Sequence, residues 1–433
     1  MSAERKGLKA ALAQMQQELP FDFPCIVNGL PIRTGKLAKQ PIPARHLYIH
    51  HEADESAVVT AIDGALAAKA EWEAMYWNNL AAFFLHAAEL VSGKYHYNSM
   101  AATMLGQGKN ACRVEYRALE GFVLAISPFN FTTIGSNLPV LAIVGNTLIW
   151  KPSPTATYSN YLVYQIFAKA GVPARVIQFV VAQVIYHPNF AALHFTGRIF
   201  IFKKLWKDIA TNLDKYRGYP RIVSETGGKN FHVIHKSADV RYAVLQSIRD
   251  DFEYQGQKCS ALSRLYVSSS LWSSGFKDLL LSEVAKITVG HRQTTATLWD
   301  PGRPAYDKIM GVIQKAKDAG GEAYFIQPTI ILTKYPQSIT MKEEIFCPVI
   351  TVYVYDDTNY EKTLELLDNT SPCALTGSTF AADRKALLTA TNKLRNAAGN
   401  VYYNKKCTGA VVGQQPFGGA RASGTNDEEH LLP

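Results

Sequence analysis

The 433-residue chain contains no run approaching the roughly 18 uninterrupted apolar residues of a membrane-spanning helix, which excludes a membrane-embedded class. Its six cysteines, Cys25, Cys112, Cys259, Cys347, Cys373 and Cys407, are scattered singly. With no C-x-x-C pair and no Cys/His cluster of zinc-site spacing, neither a disulfide framework nor a structural metal is expected. The eleven histidines are dispersed as well. His232 and His235, in Phe231-His232-Val233-Ile234-His235, fall on opposite faces of any strand. A dense basic tract is also missing. The balance of 45 basic against 36 acidic residues gives +9, spread along helical faces as in Lys203-Lys204-Leu205-Trp206-Lys207. That excess alone fits nucleic acid or anionic small molecules; with no recognisable nucleic-acid motif beside it, the charges read as solvated helical faces. No G-x-G-x-x-G follows any strand-like run, so pattern alone leaves a dinucleotide ligand open.

Residues 3–12 have helical spacing, but Glu4 and Glu18 argue against a transit peptide and no signal-peptide core follows, so they read as a surface helix. With 47% apolar residues the chain can bury two or three domain cores. Residues 52–92 read as helices. From residue 119 strands and helices alternate, with strands expected at 121–126, 147–150, 176–181, 191–195 and 221–223 and helices at 159–170 and 199–212. Gly227 and Gly228 break any regular element. A second series then places strands near 231, at 265–267, 324–332, 349–355 and 375–380. Its helices are expected at 238–251, 305–319, 360–367 and 384–395. This alternation predicts an α/β fold of two doubly wound parallel sheets, with ligands beyond the strand carboxyl ends. The expected division is 1–230 as a Rossmann-like domain, 231–408 as a second α/β domain carrying the thiol, and 409–433 as a C-terminal return segment.

The thiol in question is Cys259, in Phe252-Glu253-Tyr254-Gln255-Gly256-Gln257-Lys258-Cys259-Ser260, between a helical run and a strand. A neighbouring cation such as Lys258 lowers a thiol pKa and raises its nucleophilicity. Local spacing alone favours an inert buried thiol over a nucleophile. Glu225 in Glu225-Thr226-Gly227-Gly228-Lys229-Asn230 is either a general base on a glycine-flanked turn or a surface carboxylate. Asn130 in Ser127-Pro128-Phe129-Asn130 is either an amide donor to an oxyanion or a turn former.

Those two stretches, with Trp150-Lys151-Pro152-Ser153, the Cys259 turn and Glu343-Glu344-Ile345-Phe346, resemble the aldehyde dehydrogenase superfamily in order from about residue 66 to 427. Within it, Gly106-Gln107-Gly108-Lys109 and the run from Val412 to Thr425 look like the branch that oxidises glutamate γ-semialdehyde to glutamate with NAD in mitochondrial proline breakdown. The resemblance implies Cys259 as nucleophile, Glu225 as base for thioester hydrolysis, and Asn130 with the Cys259 backbone N–H as the oxyanion hole. It implies NAD as cofactor, held by Ser127, Phe129, Lys151, Ser153, Thr196, Gly197, Gly227, Glu344 and Phe346. Ser260, Gly409, Ala410 and Phe417 fall at substrate positions. No metal, nucleic acid or membrane partner is implied, and relatives form homodimers. Against the family pattern, only residues 111–118 join Gly108-Lys109 to the next strand, so the oligomerisation flap is expected to be lost or truncated. Arg198 stands where the family has serine, and Cys347 where it has glycine. These departures keep a second reading open, a catalytically impaired relative with a binding role. The family places the chain in the mitochondrial matrix; without a visible presequence a cytoplasmic site stays open.

Overall fold

The computed structural model describes residues 3–18, 21–41, 47–106, 120–130, 141–180, 184–287, 310–311, 327–408, 410 and 417–425. The chain divides into two compact units, Met1–Ser224 and Glu225–Leu432.

In the first unit a seven-stranded sheet runs in the order Arg221–Glu225, Phe190–Thr196, Phe122–Ile126, Thr147–Lys151, Ile177–Phe179, Cys25–Val27 and Leu30–Ile32. The last residue of the first of these strands opens the second unit. Phe122–Ile126 pairs in parallel with both neighbours, and Cys25–Val27 joins antiparallel at the far side. Both faces of the sheet are covered, which is why Phe122–Ile126 reads as an unbroken apolar run. Val123 and Ala125 pack with Trp72, Phe84 and Phe167 on one side, while Phe122 and Leu124 pack with Ala61, Leu205 and Ile209 on the other. The Asp54 side chain accepts the Ala57 N–H and starts the helix Glu55–Ala74. Gly171, at φ 95°, supplies the left-handed residue after the helix Thr157–Lys169. From Phe122–Ile126 the chain proceeds outward to Thr147–Lys151 and Ile177–Phe179, then returns to the opposite side at Phe190–Thr196. The direction of strand order therefore reverses between Phe122–Ile126 and Phe190–Thr196, the place where an open sheet leaves a crevice at its carboxyl edge.

The short N-terminal strands were not visible in the sequence pattern. Asp22–Phe23, Leu47–His51 and Leu37–Pro41 form a small sheet of their own.

The second unit is built on six parallel strands, in the order Thr329–Thr333, Val349–Tyr355, Leu262–Ser268, Asn230–Ile234, Thr376–Phe380 and Asn400–Tyr403. Phe231, Val233 and Tyr266 pack with Tyr360, Leu364 and Ala390 on one face, whereas Ile234, Leu265 and Val267 pack with Val244, Phe252 and Leu280 on the other. The C-terminal strand Ala420–Arg421 pairs antiparallel with Cys373–Ala374, inside this unit. Of the helix expected at 305–319, only 310–311 lie within the described residues.

Candidate active site

In the second unit the residues singled out by sequence gather at the amino ends of the parallel strands, not at the carboxyl ends where the doubly wound rule placed a ligand. Cys259 precedes Leu262–Ser268, Gly227 and Gly228 precede Asn230–Ile234, and Glu344 precedes Val349–Tyr355. Asn230 ties these starts together. Fully buried, its Nδ2 donates to the carbonyls of Cys259 and Ala261, each at 2.7 Å, and its Oδ1 accepts the Thr376 N–H at 3.0 Å. Both of its N–H groups and its oxygen go to backbone at the starts of two other strands, so one amide at the start of a third sets the relative heights of all three.

The two glycines of the Glu225 turn are needed for close approach. A Cβ on Gly227 would lie 2.1 Å from Glu344 Oε2, and one on Gly228 would lie 2.2 Å from the Cys259 carbonyl oxygen. The Gly228 N–H instead donates to Glu344 Oε1 at 2.9 Å. Glu225 is buried, and its Oε1 accepts the Gly419 N–H at 2.9 Å. Cys259 itself is only partly covered. Burial first, then the carboxylates of Glu225 and Glu344, push its thiol up to about 12, and the backbone N–H groups of Ser260 and Cys259 counter this only in part. The activation expected from Lys258 is therefore not the resting condition. The Lys258 ammonium lies 5.4 Å from the centre of the Tyr254 ring, and burial lowers its own pKa. Tyr254, Gln255 and Gly256 immediately upstream hold φ values of 69°, 67° and 65°, a left-handed run that only Gly256 adopts without strain.

Phe346 is half-buried and carries a left-handed φ of 65°. The unusual conformation thus falls on Phe346, whereas Cys347 is buried outside the left-handed region, and its carbonyl accepts the Val349 N–H at 2.7 Å. Lys229, Asp251, Gly256, Lys258, Glu344 and Phe346 border a cavity of about 20 Å³, room for one water. Lys229 and Asp251 are both buried. Burial, then the Arg264 charge, takes the Lys229 ammonium down to about 8, and burial and the neighbouring Asp250 raise the Asp251 carboxyl well above its ordinary value.

Of the expected substrate residues, Ser260 is buried, Ala410 and Phe417 are half-buried, and Gly409 lies outside the described residues. The Ser260 carbonyl accepts from Thr376 Oγ1 at 3.2 Å and from Cys407 Sγ at 3.4 Å. Beside it His232 Nε2 meets Asp250 Oδ2 at 2.7 Å, His232 Nδ1 meets Ser247 Oγ at 2.9 Å, and the Cys407 N–H donates to Asp250 Oδ2 at 2.6 Å. His232, Asp250 and Cys407 bring three metal-ligand atoms within 4.8 Å of one another. His232 and the Cys407 N–H both engage Asp250 through Oδ2, and His232 and Cys407 reach on to Ser247 and Ser260, while the buried Asp250 Oδ1 has no hydrogen-bond partner among the described residues. Sequence reading missed Asn230 and Asp250. A signal for Asp250 existed: helical period puts it on one stripe with Ala243 and Ser247, so a carboxylate recurs where the buried face continues.

In the first unit the expected cofactor residues lie at the carboxyl ends that flank the reversal of strand order. Ser127 and Phe129 follow Phe122–Ile126, and Thr196 ends its strand with Gly197 next. Ser127 is buried, with its Oγ accepting from Trp150 Nε1 at 3.0 Å. This serine fastens the strand exits, a structural task the sequence did not disclose. Asn130 is buried. Lys151 ends the neighbouring strand, its ammonium held below the ordinary value by burial with Glu52 pulling the other way. Ser153 opens the turn before the helix Thr157–Lys169, and Arg198 is exposed at the start of the helix Ile199–Ala210.

The model of the aldehyde dehydrogenase family matches residues 94–431. The chain belongs to the aldehyde dehydrogenase family. It is 58% identical to the delta-1-pyrroline-5-carboxylate dehydrogenase of Agaricus bisporus, over 99% of this chain and 89% of that protein. It is 44% identical to the mitochondrial delta-1-pyrroline-5-carboxylate dehydrogenase of Emericella nidulans, over 99% of this chain and 86% of that one. Among solved structures, the delta-pyrroline-5-carboxylate dehydrogenase of Mycobacterium tuberculosis bound with NAD superposes with a TM-score of 0.90 at 37% identity, covering 99% of this chain and 90% of that one. The alignment to the Agaricus protein spans 488 positions, more than the 433 residues here, so that relative carries segments this family member lacks.

Proposed function

We infer that the chain oxidises L-glutamate γ-semialdehyde to L-glutamate with NAD, a step of proline breakdown. The observation that carries the chemistry is a cysteine and a carboxylate, Cys259 and Glu344, at neighbouring strand starts, with a second carboxylate, Glu225, at the end of the strand Arg221–Glu225, both carboxylates acting on the Cys259 thiol. The residues present suit a dinucleotide. Two loops leave the carboxyl edge of the first sheet where strand order reverses, one of them through Thr196 and the side-chain-free Gly197, and a lysine ends the adjacent strand. Lys151, Ser153, Ser127, Phe129, Thr196 and Gly197 are assigned to holding it, together with Gly227, Glu344 and Phe346.

Cys259 Sγ gives its proton to solvent water and attacks the aldehyde carbon, forming the S–C bond as the C=O π pair moves onto the carbonyl oxygen to make an oxyanion. The Cys259 backbone N–H is assigned to that oxyanion, as is the Asn130 amide on the motif that contains it. Losing one such donor typically lowers turnover by about 10² to 10³. With NAD bound by the residues named above, the C–H bond of the adduct would give its hydride to the cofactor while the oxyanion reforms C=O, leaving a thioester on Cys259. Glu225 then takes a proton from water as the water attacks the thioester, and the Cys259 thiolate departs from the carboxylate product. Ser260, Gly409, Ala410 and Phe417 are assigned to the substrate's α-carboxylate end. The mitochondrial names among the relatives support the matrix as the site of action. NADH formation with glutamate γ-semialdehyde in wild type and Cys259→Ala tests the reading. Stoichiometric NADH in wild type and none in the variant is expected; equal rates in both would exclude the cysteine mechanism.

A further inference from the structure

Two pieces of the assigned substrate end, Ser260 and the segment that begins at Cys407, come from distant parts of the second unit, and one buried carboxylate connects them. Asp250 projects from the last turn of the helix Val240–Phe252. Its Oδ2 meets His232 Nε2 at 2.7 Å and accepts the Cys407 N–H at 2.6 Å. Cys407 Sγ in turn contacts the Ser260 carbonyl at 3.4 Å, and Thr376 Oγ1 holds the same carbonyl from the other side. His232, Asp250, Ser247 and Cys407 are all fully shielded from solvent. Upstream, Ser378 Oγ donates to the Lys405 carbonyl at 2.6 Å, and Lys406 Nζ pairs with Glu253 Oε2 at 2.5 Å. The segment that runs into Thr408 and Ala410 is thus pinned to the helix ending at the nucleophile loop.

We propose that Asp250 is a positioning residue for the substrate's α-carboxylate: gripped by His232, it fixes the Cys407 peptide and, through the Cys407 sulfur, Ser260, so that the backbone after Cys407 and the Ser260 hydroxyl face one anion. The inference rests on the reading that this end of the site binds the carboxylate of glutamate semialdehyde. Burial would push the Asp250 carboxyl up, but the hydrogen bond and charge of His232 outweigh it and hold the group below its ordinary value, so the linking group is an anion. A carboxylate accepts two donors on one oxygen, whereas an amide in its place leaves a buried N–H₂ facing the same side. The geometry makes a selective demand. An aldehyde with no carboxylate does not use the Cys407 segment, while the nucleophile loop is fixed separately by Asn230.

The test compares wild type, Asp250→Asn, His232→Gln and His232→Ala with glutamate γ-semialdehyde and with butanal, which lacks the carboxylate. Thermal melts establish that each variant folds. Asp250→Asn is expected to raise the KM for the semialdehyde about ten- to a hundredfold, the range for a lost charge-assisted hydrogen bond, with kcat within about threefold. Butanal kinetics stay unchanged. His232→Gln, which keeps a donor, is expected to retain most of the semialdehyde affinity that His232→Ala loses. Equal losses with both aldehydes, or no change with either, overturn the proposal while leaving the substrate reading intact. A wild-type enzyme with no preference for the semialdehyde over butanal removes the substrate reading, and the role of Asp250 with it.

Discussion

Glu225 has two opposed effects on catalysis, and replacing it by glutamine separates them. In the mechanism proposed above its carboxylate activates water for thioester hydrolysis, whereas in the resting site it is, after burial, the largest influence keeping the Cys259 thiol protonated. The rise from 9.0 to about 12 is worth at most about 4 kcal/mol, since Cys259 is only partly covered and water screens part of the field. At pH 8 such a thiol is ionised in about one molecule in 10⁴. Removing the unit negative charge that Glu225 brings to bear on this partly covered sulfur is worth about 1 to 3 kcal/mol at an effective dielectric constant near 20 and a separation of about 6 to 16 Å, or about one to two pKa units. Glu225→Gln is therefore expected to alkylate with iodoacetamide about ten- to a hundredfold faster than wild type at pH 8, with the pH midpoint of alkylation moved down, while steady-state NADH production falls by about 10² or more. Mass spectrometry after limited alkylation identifies Cys259 as the modified residue, with Cys259→Ala as background. Slower alkylation in the variant would refute the reasoning, because it would make Glu225 the base that ionises the thiol and not the charge that opposes it.

Gly228→Ala drives a methyl into the Cys259 carbonyl oxygen, 2.2 Å from the ideal Cβ, and since that neighbour is backbone it cannot yield cheaply; turnover is expected to fall at least a hundredfold while circular dichroism stays native. Asn230→Ala leaves two buried carbonyls and one N–H without their partner, so chemical denaturation is expected to show a loss of about 3 kcal/mol, with slower alkylation of Cys259 on top of it. Lys229, at about 8 in the fold against 10.5 unfolded, binds fewer protons folded than unfolded between those values, so stability rises with pH across that window. Between pH 8 and pH 10 wild type is expected to gain about 2 kcal/mol relative to Lys229→Met in urea titrations. A variant with the same pH slope as wild type would show that Lys229 is solvated. Asp251, raised in the fold, contributes the opposite sign, and its loss begins above the ordinary carboxylate value of 3.8.

The alternation of strands and helices was legible because buried parallel strands are continuous apolar runs and their helices carry 3.6-residue stripes, as at residues 122–126 and 349–355; of the strand 262–268 only the apolar 265–267 stood out. Cys259, Glu225 and Glu344 stood out only together, as motifs in the order of the aldehyde dehydrogenase family, because each alone reads as a buried thiol or a solvated carboxylate. The short strands between residues 22 and 51 escaped because two- to five-residue segments interrupted by Pro31 and Pro41 have no room for a period. The edge of the second sheet at which the site forms was not legible either. The crevice rule speaks of strand carboxyl ends, whereas here the strand amino ends are drawn together by Asn230, whose three partners are 29, 31 and 146 residues away in sequence. Asp250 was hidden for a related reason, since a carboxylate in an amphipathic helix reads as solvated until its partners His232 and Cys407, 18 and 157 residues distant, are seen beside it.

The bond from Asn230 to the Cys259 carbonyl also bears on the thiol. A trans peptide points its C=O and the following N–H in opposite directions, so fixing the Cys259 carbonyl toward Asn230 fixes the Ser260 N–H away from it. That N–H is one of the two groups that favour the Cys259 thiolate. The carboxylates of Glu225 and Glu344 oppose the thiolate through space and leave the sulfur largely a thiol at rest, whereas the Asn230-held peptide favours it through a directed hydrogen bond. Such a bond stays in place whatever the net charge around the sulfur becomes. In the proposed mechanism, a substrate whose developing oxyanion draws on the Cys259 N–H meets a loop whose peptide planes are already oriented from behind by Asn230, and in which the left-handed Tyr254 and Gln255 lead into a Gly256 that lies too close to the Cys347 carbonyl for a Cβ.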